Sequence, residues 1–400
     1  MLALALALAS ASAGCHCGGG GGNDAGSDVE TAEVATICPA ATPLRCNGQC
    51  TAQDSTHCAT CTDVCAAGLS CQFGQCLCAG DGGRLCDGGC IDVTRDPMNC
   101  GICGRSCSGA ACSGGACGPV VLAQAELPWG VATDGTNVYY TVDVGDGGAV
   151  MSVSAEGGAP SIVAAPESSP QDIVVQAGQV FWTEAPASAW RVMTLMGTLP
   201  LPLFAGSGAP VGLVVDGQPS LYWIENDANG SHTVWTGSFG GGTPTAIDGP
   251  IAGVLGGIAS TLGFVYWTLP GSNAVVGYDV VNRQGSVLTP IQSPQQIAAD
   301  SVNVYVTNSM TADSVIRADV GSGATTVLAQ NIASPQGIAV DKSYVYVSSA
   351  SGSVSRIPID GGALETIASG QDNPWVIAVD DRAVYWTNHA DAGAVMKLLK

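Results

Sequence analysis

One phrase recurs seven times in the C-terminal part of this 400-residue chain. It is a triplet that opens with an aromatic residue and usually closes with a hydroxyl. The copies are Tyr139-Tyr140-Thr141, Phe181-Trp182-Thr183, Tyr222-Trp223-Ile224, Tyr266-Trp267-Thr268, Tyr305-Val306-Thr307, Tyr346-Val347-Ser348 and Tyr385-Trp386-Thr387. Their first residues stand 42, 41, 44, 39, 41 and 39 positions apart. A leading proline precedes each triplet, at Pro128, Pro170, Pro210, Pro250, Pro294, Pro335 and Pro374. A fixed period of this size points to stacked units that share their cores, as in a solenoid or a propeller.

Inside each copy the pattern is of strands. Residues 336–348 hold two short β-rich runs around an Asp-containing turn. A third run, Gly352 to Pro358, and a fourth, Leu364 to Ala368, follow across a Gly-Gly turn at Gly361-Gly362. The third and fourth runs recur at Ala149 to Ser154 and Ser161 to Ala165. Four strands per repeat match a propeller blade, and no helical period of 10–15 residues interrupts them. The last copy stops at Lys400 after its third strand, Ala394 to Leu399, while an orphan strand, Val120 to Ala123, precedes the first copy. The orphan strand is therefore expected to complete the last blade and remove an open sheet edge. The expected fold is all-β, a seven-bladed β-propeller over 119–400 that is closed by its N-terminal strand.

The triplets resemble the YWTD and YVTN/NHL-like propeller group. Tyr305-Val306-Thr307-Asn308 matches the YVTN phrase, whereas Leu269 and Asn388 replace the final Asp of YWTD after Tyr266-Trp267-Thr268 and Tyr385-Trp386-Thr387. The resemblance implies a fold and no particular ligand. The triplet aromatics are expected to be packing between blades.

All 18 cysteines lie between Cys15 and Cys117. Sixteen fall into two registers of eight: Cys38, Cys46, Cys50, Cys58, Cys61, Cys65, Cys71, Cys76, and Cys78, Cys86, Cys90, Cys100, Cys103, Cys107, Cys112, Cys117. The chain is thus expected to hold two cysteine modules, 38–77 and 78–118. Each has few large apolar residues and needs disulfides to restrict its unfolded state. Eight cysteines allow 105 pairings, so connectivity stays open. Cys58-x2-Cys61 and Cys100-x2-Cys103 also have the spacing of zinc ligands. Eight recurring cysteines exceed what one metal needs, which favours disulfides. The run Cys86 to Gly104 resembles the cysteine-rich repeats related to the Stig1 family, which also occur in secreted proteins of myxobacterial type. That resemblance implies an extracellular disulfide module.

Residues 1–14 read as a signal peptide: a short apolar run ending in small residues. Ser12-Ala13-Gly14-Cys15 resembles a bacterial lipoprotein signal, which implies lipid on Cys15 and leaves a free or intermolecular thiol at Cys17. Residues 15–37 read as a flexible tether. Export follows, either secreted or as an outer-membrane or cell-surface lipoprotein, with the N-terminal lipid the only membrane contact. Twelve Lys and Arg against 33 Asp and Glu give a net charge of −21 and exclude nucleic-acid binding by phosphate neutralisation.

In a propeller the loops before the first strand and after the second share one face. Trp129 and Trp375 follow equivalent prolines in the first and last blades, which ring closure makes neighbours. They are candidates for an aromatic platform at the central mouth, with Asp143, Asp146, Glu225, Asp227, Asn388, His389 and Asp391 on the same face. Such groups suit an extracellular protein, peptide or glycan. The bland alternative is that the tryptophans cap the core and the acids are solvated. No cofactor is expected. Asp143-Val-Gly-Asp146 is at most a candidate for calcium and lacks an EF-hand's spacing. The body has only two histidines, His232 and His389, and no G-x-S-x-G, HExxH or P-loop. Seven-bladed streptogramin-lyase-like proteins share the general fold and use histidine chemistry, but the two histidines here belong to separate blades. The leading expectation is a monomeric, non-enzymatic, exported binding protein. The alternative is an extracellular lyase or hydrolase with its site in the propeller-top loops.

Overall fold

The computed structural model describes 44–46, 49–51, 69–72, 75–78 and 83–400, apart from 88, 108, 145–146, 185–189, 197–198, 207, 228, 254, 262 and 309–312. The expected signal peptide, tether and Cys15, together with Cys38, Cys58, Cys61, Cys65 and Asp146, lie outside the described residues. Among the described residues, regular structure is β-strand apart from short 3-10 pieces at Pro270–Ser272 and Gly147, and no helix is long and apolar enough to cross a membrane. The chain divides into two compact units, Met1–Ala66 with Cys71–Cys76, and Ala67–Ser70 with Leu77–Lys400. In the first, strands Leu44–Cys46 and Gln49–Thr51 pair antiparallel.

The second unit is a β-propeller. Six four-stranded sheets are each made of consecutive antiparallel strands, spanning 128–167, 170–206, 209–252, 258–290, 294–329 and 335–368. A further four-stranded sheet is composite: Pro374–Val379, Ala383–Asn388 and Ala394–Leu399 are completed by Val120–Gln124. We number the sheets one to seven in that order. The first strand of each sheet packs against the first strand of the next, and that of sheet 7 returns to sheet 1. Apolar cores fill the crevices between neighbours all the way round.

The triplet explains why this sequence folds this way. It lies on the second strand of each sheet, where successive side chains point to opposite faces. The first residue enters the crevice with the following sheet: Phe181 joins Trp223 and Leu221 of sheet 3, and Tyr385 joins Tyr140 and Val138 of sheet 1. The second residue enters the crevice with the preceding sheet, as Trp182 meets Val150 and Ala164 of sheet 1. Trp182, Trp223, Trp267 and Trp386 are all fully buried.

The third residue has a different task. The first strand of most sheets is bulged between the leading proline and the third residue after it. This takes the N–H two residues after the proline out of the ladder, and the triplet hydroxyl accepts it. Gly130 N–H donates to Thr141 Oγ1 at 2.9 Å, and Gly337 N–H to Ser348 Oγ at 2.8 Å. The same hydroxyl then donates to a first-strand carbonyl of the next sheet. Thr141 reaches Gln171 O at 2.6 Å, Thr268 reaches Gln295 O at 2.5 Å, and Ser348 reaches Trp375 O at 2.5 Å. Thr387 reaches Trp129 O at 2.9 Å, so one of these staples crosses from sheet 7 to sheet 1. Thr268→Val and Thr387→Val should each cost about 1–3 kcal/mol, since each leaves buried polar groups unsatisfied without changing side-chain shape. Urea unfolding should show a lower midpoint with an unchanged slope.

Turn aspartates lock the opposite end of the second strand. Asp300 Oδ1 accepts the N–H groups of Val302 and Asn303, while Oδ2 accepts Tyr305 Oη at 2.7 Å. Asp134, Asp216, Asp341 and Asp380 likewise receive Tyr139, Tyr222, Tyr346 and Tyr385.

One sequence expectation needs correction. Pro250 does not lead sheet 4. It lies within the fourth strand of sheet 3, Thr245–Ala252, which is eight residues long and runs past the expected boundary. Ile258 pairs with Trp267 as Ile297 pairs with Val306, so buried Leu255 holds the leading position of sheet 4.

The second cysteine module is part of the same compact unit as the propeller. Its eight cysteines pair as Cys78–Cys90, Cys86–Cys103, Cys100–Cys112 and Cys107–Cys117. Cys100 and Cys103 thus belong to different disulfides, which removes the zinc reading of that pair. Cys71 and Cys76 are also disulfide-bonded. Buried Cys100, Cys107, Cys112 and Cys117 pack against Val120 and Leu399, at the junction of the composite sheet. Arg105 Nη2 donates to Lys400 O at 2.6 Å beside them.

Candidate functional site

The first strands surround a central cavity of about 560 Å³. Trp129, Gln171, Val211, Gly256, Gln336 and Trp375 line it from the position after the leading residue. The next position supplies Gly130, Asp172, Gly212, Gly257, Gln296, Gly337 and Val376. Glycine at 130 and 337 is a matter of space. A Cβ would come within 2.5 Å of Gln171 O or 2.3 Å of Trp375 O, the carbonyls that accept the staples.

Trp129 and Trp375 meet where sheets 1 and 7 join, with ring centroids 5.8 Å apart at 59°. His389 completes the group, 4.9 Å from Trp129 edge-on and 5.8 Å from Trp375. All three are half-buried. Their backbones are fixed: the carbonyls of Trp129 and Trp375 each take a staple, and Asn373 Nδ2 donates to His389 O at 2.9 Å. His389 Nδ1 lies 3.2 Å from Pro128 O, so Nδ1 carries the proton and Nε2 is the acceptor of the neutral ring.

The acids singled out in the sequence are placed differently. Glu225 accepts Gly208 N–H at 3.1 Å, and Asp227 Oδ1 accepts the N–H groups of Asn229 and Ser231 at 2.8 Å. Backbone bonds from Ser231 and Asn229 hold the exposed Asp227 carboxyl below its ordinary range. Asp391 is an exposed loop residue, Asp143 is half-buried, and Asn388 is buried with Oδ1 accepting Trp386 Nε1 at 3.1 Å. None of these lines the cavity. His232 is buried in sheet 3 against Asn226, and burial lowers its pKa. It is far round the ring from His389 in sheet 7.

Among the described residues the cavity holds one ionisable side chain, Asp172, and sequence reasoning missed it. Sheet 3 has Ile224 where the triplet hydroxyl belongs, so Gly212 N–H loses its usual acceptor. Asp172 of the preceding sheet reaches across and accepts it with Oδ2 at 2.8 Å. Burial pushes the Asp172 carboxyl above its ordinary range, and the Gly212 bond offsets this only in part. A raised folded-state pKa means the ionised form costs stability. The penalty is absent below the unfolded value of ~3.9 and grows as pH rises through the folded value. Asp172→Asn keeps an acceptor and removes the charge. It should melt higher than the parent at pH 7, with the gain vanishing towards ~pH 4. Thermal unfolding across that range checks this.

A second cavity of about 810 Å³ lies at the turns before the second strands of sheets 1, 6 and 7. Its cations are already paired: Lys400 with Asp341 at 2.5 Å, Arg356 with Glu365 at 2.8 Å, Arg382 with Glu156 at 3.1 Å and Lys342 with Asp381 at 3.9 Å.

No family model matches the chain, and no curated protein matches it. Solved structures do. The computationally designed Ika8 protein aligns over 69% of this chain and 96% of its own, at 13% identity and a TM-score of 0.53. That likeness is one of fold. BamB from Moraxella catarrhalis aligns over 68% of this chain and 86% of its own, at 15% identity and a TM-score of 0.46. A chain of a nidogen/laminin complex aligns over 52% of this chain and 80% of its own, at 22% identity and a TM-score of 0.44. The latter two do not bear on ligand or partner.

Proposed function

We propose that this protein is an exported, non-enzymatic binding protein. Its seven blades, the last one composite, present an extracellular protein, peptide or glycan with the mouth at Trp129, Trp375 and His389. The observation that carries this reading is the meeting of two half-buried tryptophans that line the 560 Å³ cavity, with the His389 ring packed against both. Large rigid aromatic faces beside amides such as Gln171 and Gln336 suit a ligand with an apolar face and polar edges. The disulfide-bonded module fits an oxidising compartment. The sequence features at 1–14 and Cys15 support export with lipid on Cys15, which mass measurement of the mature N-terminus tests.

Trp129→Ala and Trp375→Ala should each weaken binding at least tenfold on peptide and oligosaccharide arrays, with retained folding. Binding unchanged in the double variant would overturn the reading.

A further inference from the structure

We propose that the central cavity is a receptor for an organic cation, an ammonium group on an apolar body, held by Asp172 and the faces of Trp129 and Trp375. This rests on the mouth being a ligand site and names the class of ligand.

Three observations lead there. First, among the described residues Asp172 is the only one lining the cavity with an ionisable side chain; the remainder is Trp, Gly, Gln, Asn, Ser, Ala and aliphatic residues. A ligand seated there meets one ionisable group, and it is a carboxyl. Second, Asp172 uses only Oδ2 within the protein, for Gly212 N–H. Oδ1 has no hydrogen-bond partner among the described residues, and a carboxylate in such surroundings gains most from a cation. Third, the backbone that carries Asp172 runs beside the one that carries Trp129. Gly130, which follows Trp129, lies so close to Gln171 O that a Cβ would sit 2.5 Å from it. The segments Trp129-Gly130 and Gln171-Asp172 are therefore in direct contact at the cavity wall. Cations bind over tryptophan faces, and more strongly when desolvated. A net charge of −21 adds long-range attraction of the same sign.

The competing account is that Asp172 only replaces the hydroxyl missing at Ile224. The two roles separate by mutation. Ile224→Thr restores the usual acceptor for Gly212 N–H, so Asp172→Ala/Ile224→Thr should regain the stability that Asp172→Ala loses.

The test uses the full chain and two probes with neutral partners. Choline is compared with 3,3-dimethylbutan-1-ol, its uncharged isostere, and N-acetyl-lysine methylamide with N-acetyl-norleucine methylamide. Binding is read by calorimetry and by shifts of the indole N–H resonances. We expect at least one cationic probe to bind at least tenfold more tightly than its neutral partner. Tighter choline binding indicates a small-molecule ligand, and tighter lysine binding a peptide side chain. Asp172→Asn and the double variant should each lose that preference while staying folded. No binding of either cation, equal binding of the neutral partner, or an unchanged preference in Asp172→Asn overturns the inference. Equal binding that still needs Trp129 and Trp375 would leave the mouth as a ligand site. Binding that needs Asp172 and not the tryptophans would instead refute the aromatic part of the reading.

Discussion

Leu122→Asp is expected to open the ring at its seam. Leu122 is 8% exposed and packs among Val131, Tyr140, Tyr385 and Val395, joining sheet 7 to sheet 1. An unpaired carboxylate there costs at least ~3 kcal/mol before any packing loss is counted. The strand Val120–Gln124 would detach and expose Ala394–Leu399 as an edge, a template for pairing with another chain. The variant should therefore lose stability and form oligomers. Val121→Asp is the control. Its side chain alternates to the other face and is 49% exposed, so its cost should stay within ~0.5 kcal/mol. Denaturant midpoints and light scattering of the two variants would give this contrast. Similar losses in both would refute the seam.

The second large effect comes from the cysteine module. Replacing Cys107 and Cys117 by serine removes a disulfide whose sulfurs are part of a buried cluster with Val120 and Leu399. Loss of a native disulfide in such a module typically costs ~2–5 kcal/mol. Here the loss should reach the propeller, because the cluster touches both strands of the seam. Hydrogen exchange should rise in Val120–Gln124 and Ala394–Leu399 of the double serine variant. Exchange confined to 78–117 would mean that the module is only appended.

Much of the fold was legible because the triplet has one job per position. Tyr385, Trp386 and Thr387 serve the following crevice, the preceding crevice and the staple, and no strand can shift register without breaking all three. The orphan strand was legible for a related reason: Val120 to Ala123 stands outside the seven repeats as a short apolar run, and it pairs with Ala394–Leu399. Disulfide pairing was not legible, since spacing does not order 105 alternatives. Pro250 misled because a long fourth strand put a proline where the period expected one. Asp227 accepts backbone N–H groups of its own loop and Glu225 accepts Gly208 N–H from another strand's start, roles that in sequence look like those of ligand carboxylates. Asp172 was hidden for the opposite reason. Its signal is the hydroxyl absent at Ile224, which has meaning only once the staple is known.

Trp129 and Trp375 serve either a ligand or the core. The direct measurement is the melting temperature of Trp129→Ala/Trp375→Ala beside its binding on the same arrays. A ligand platform predicts that binding is lost while the Tm stays within ~2 °C of the parent, as for surface substitutions. If the Tm instead falls by the ~10 °C or more that a lost core tryptophan of 3–5 kcal/mol would bring, the pair belongs to the core and the claim fails.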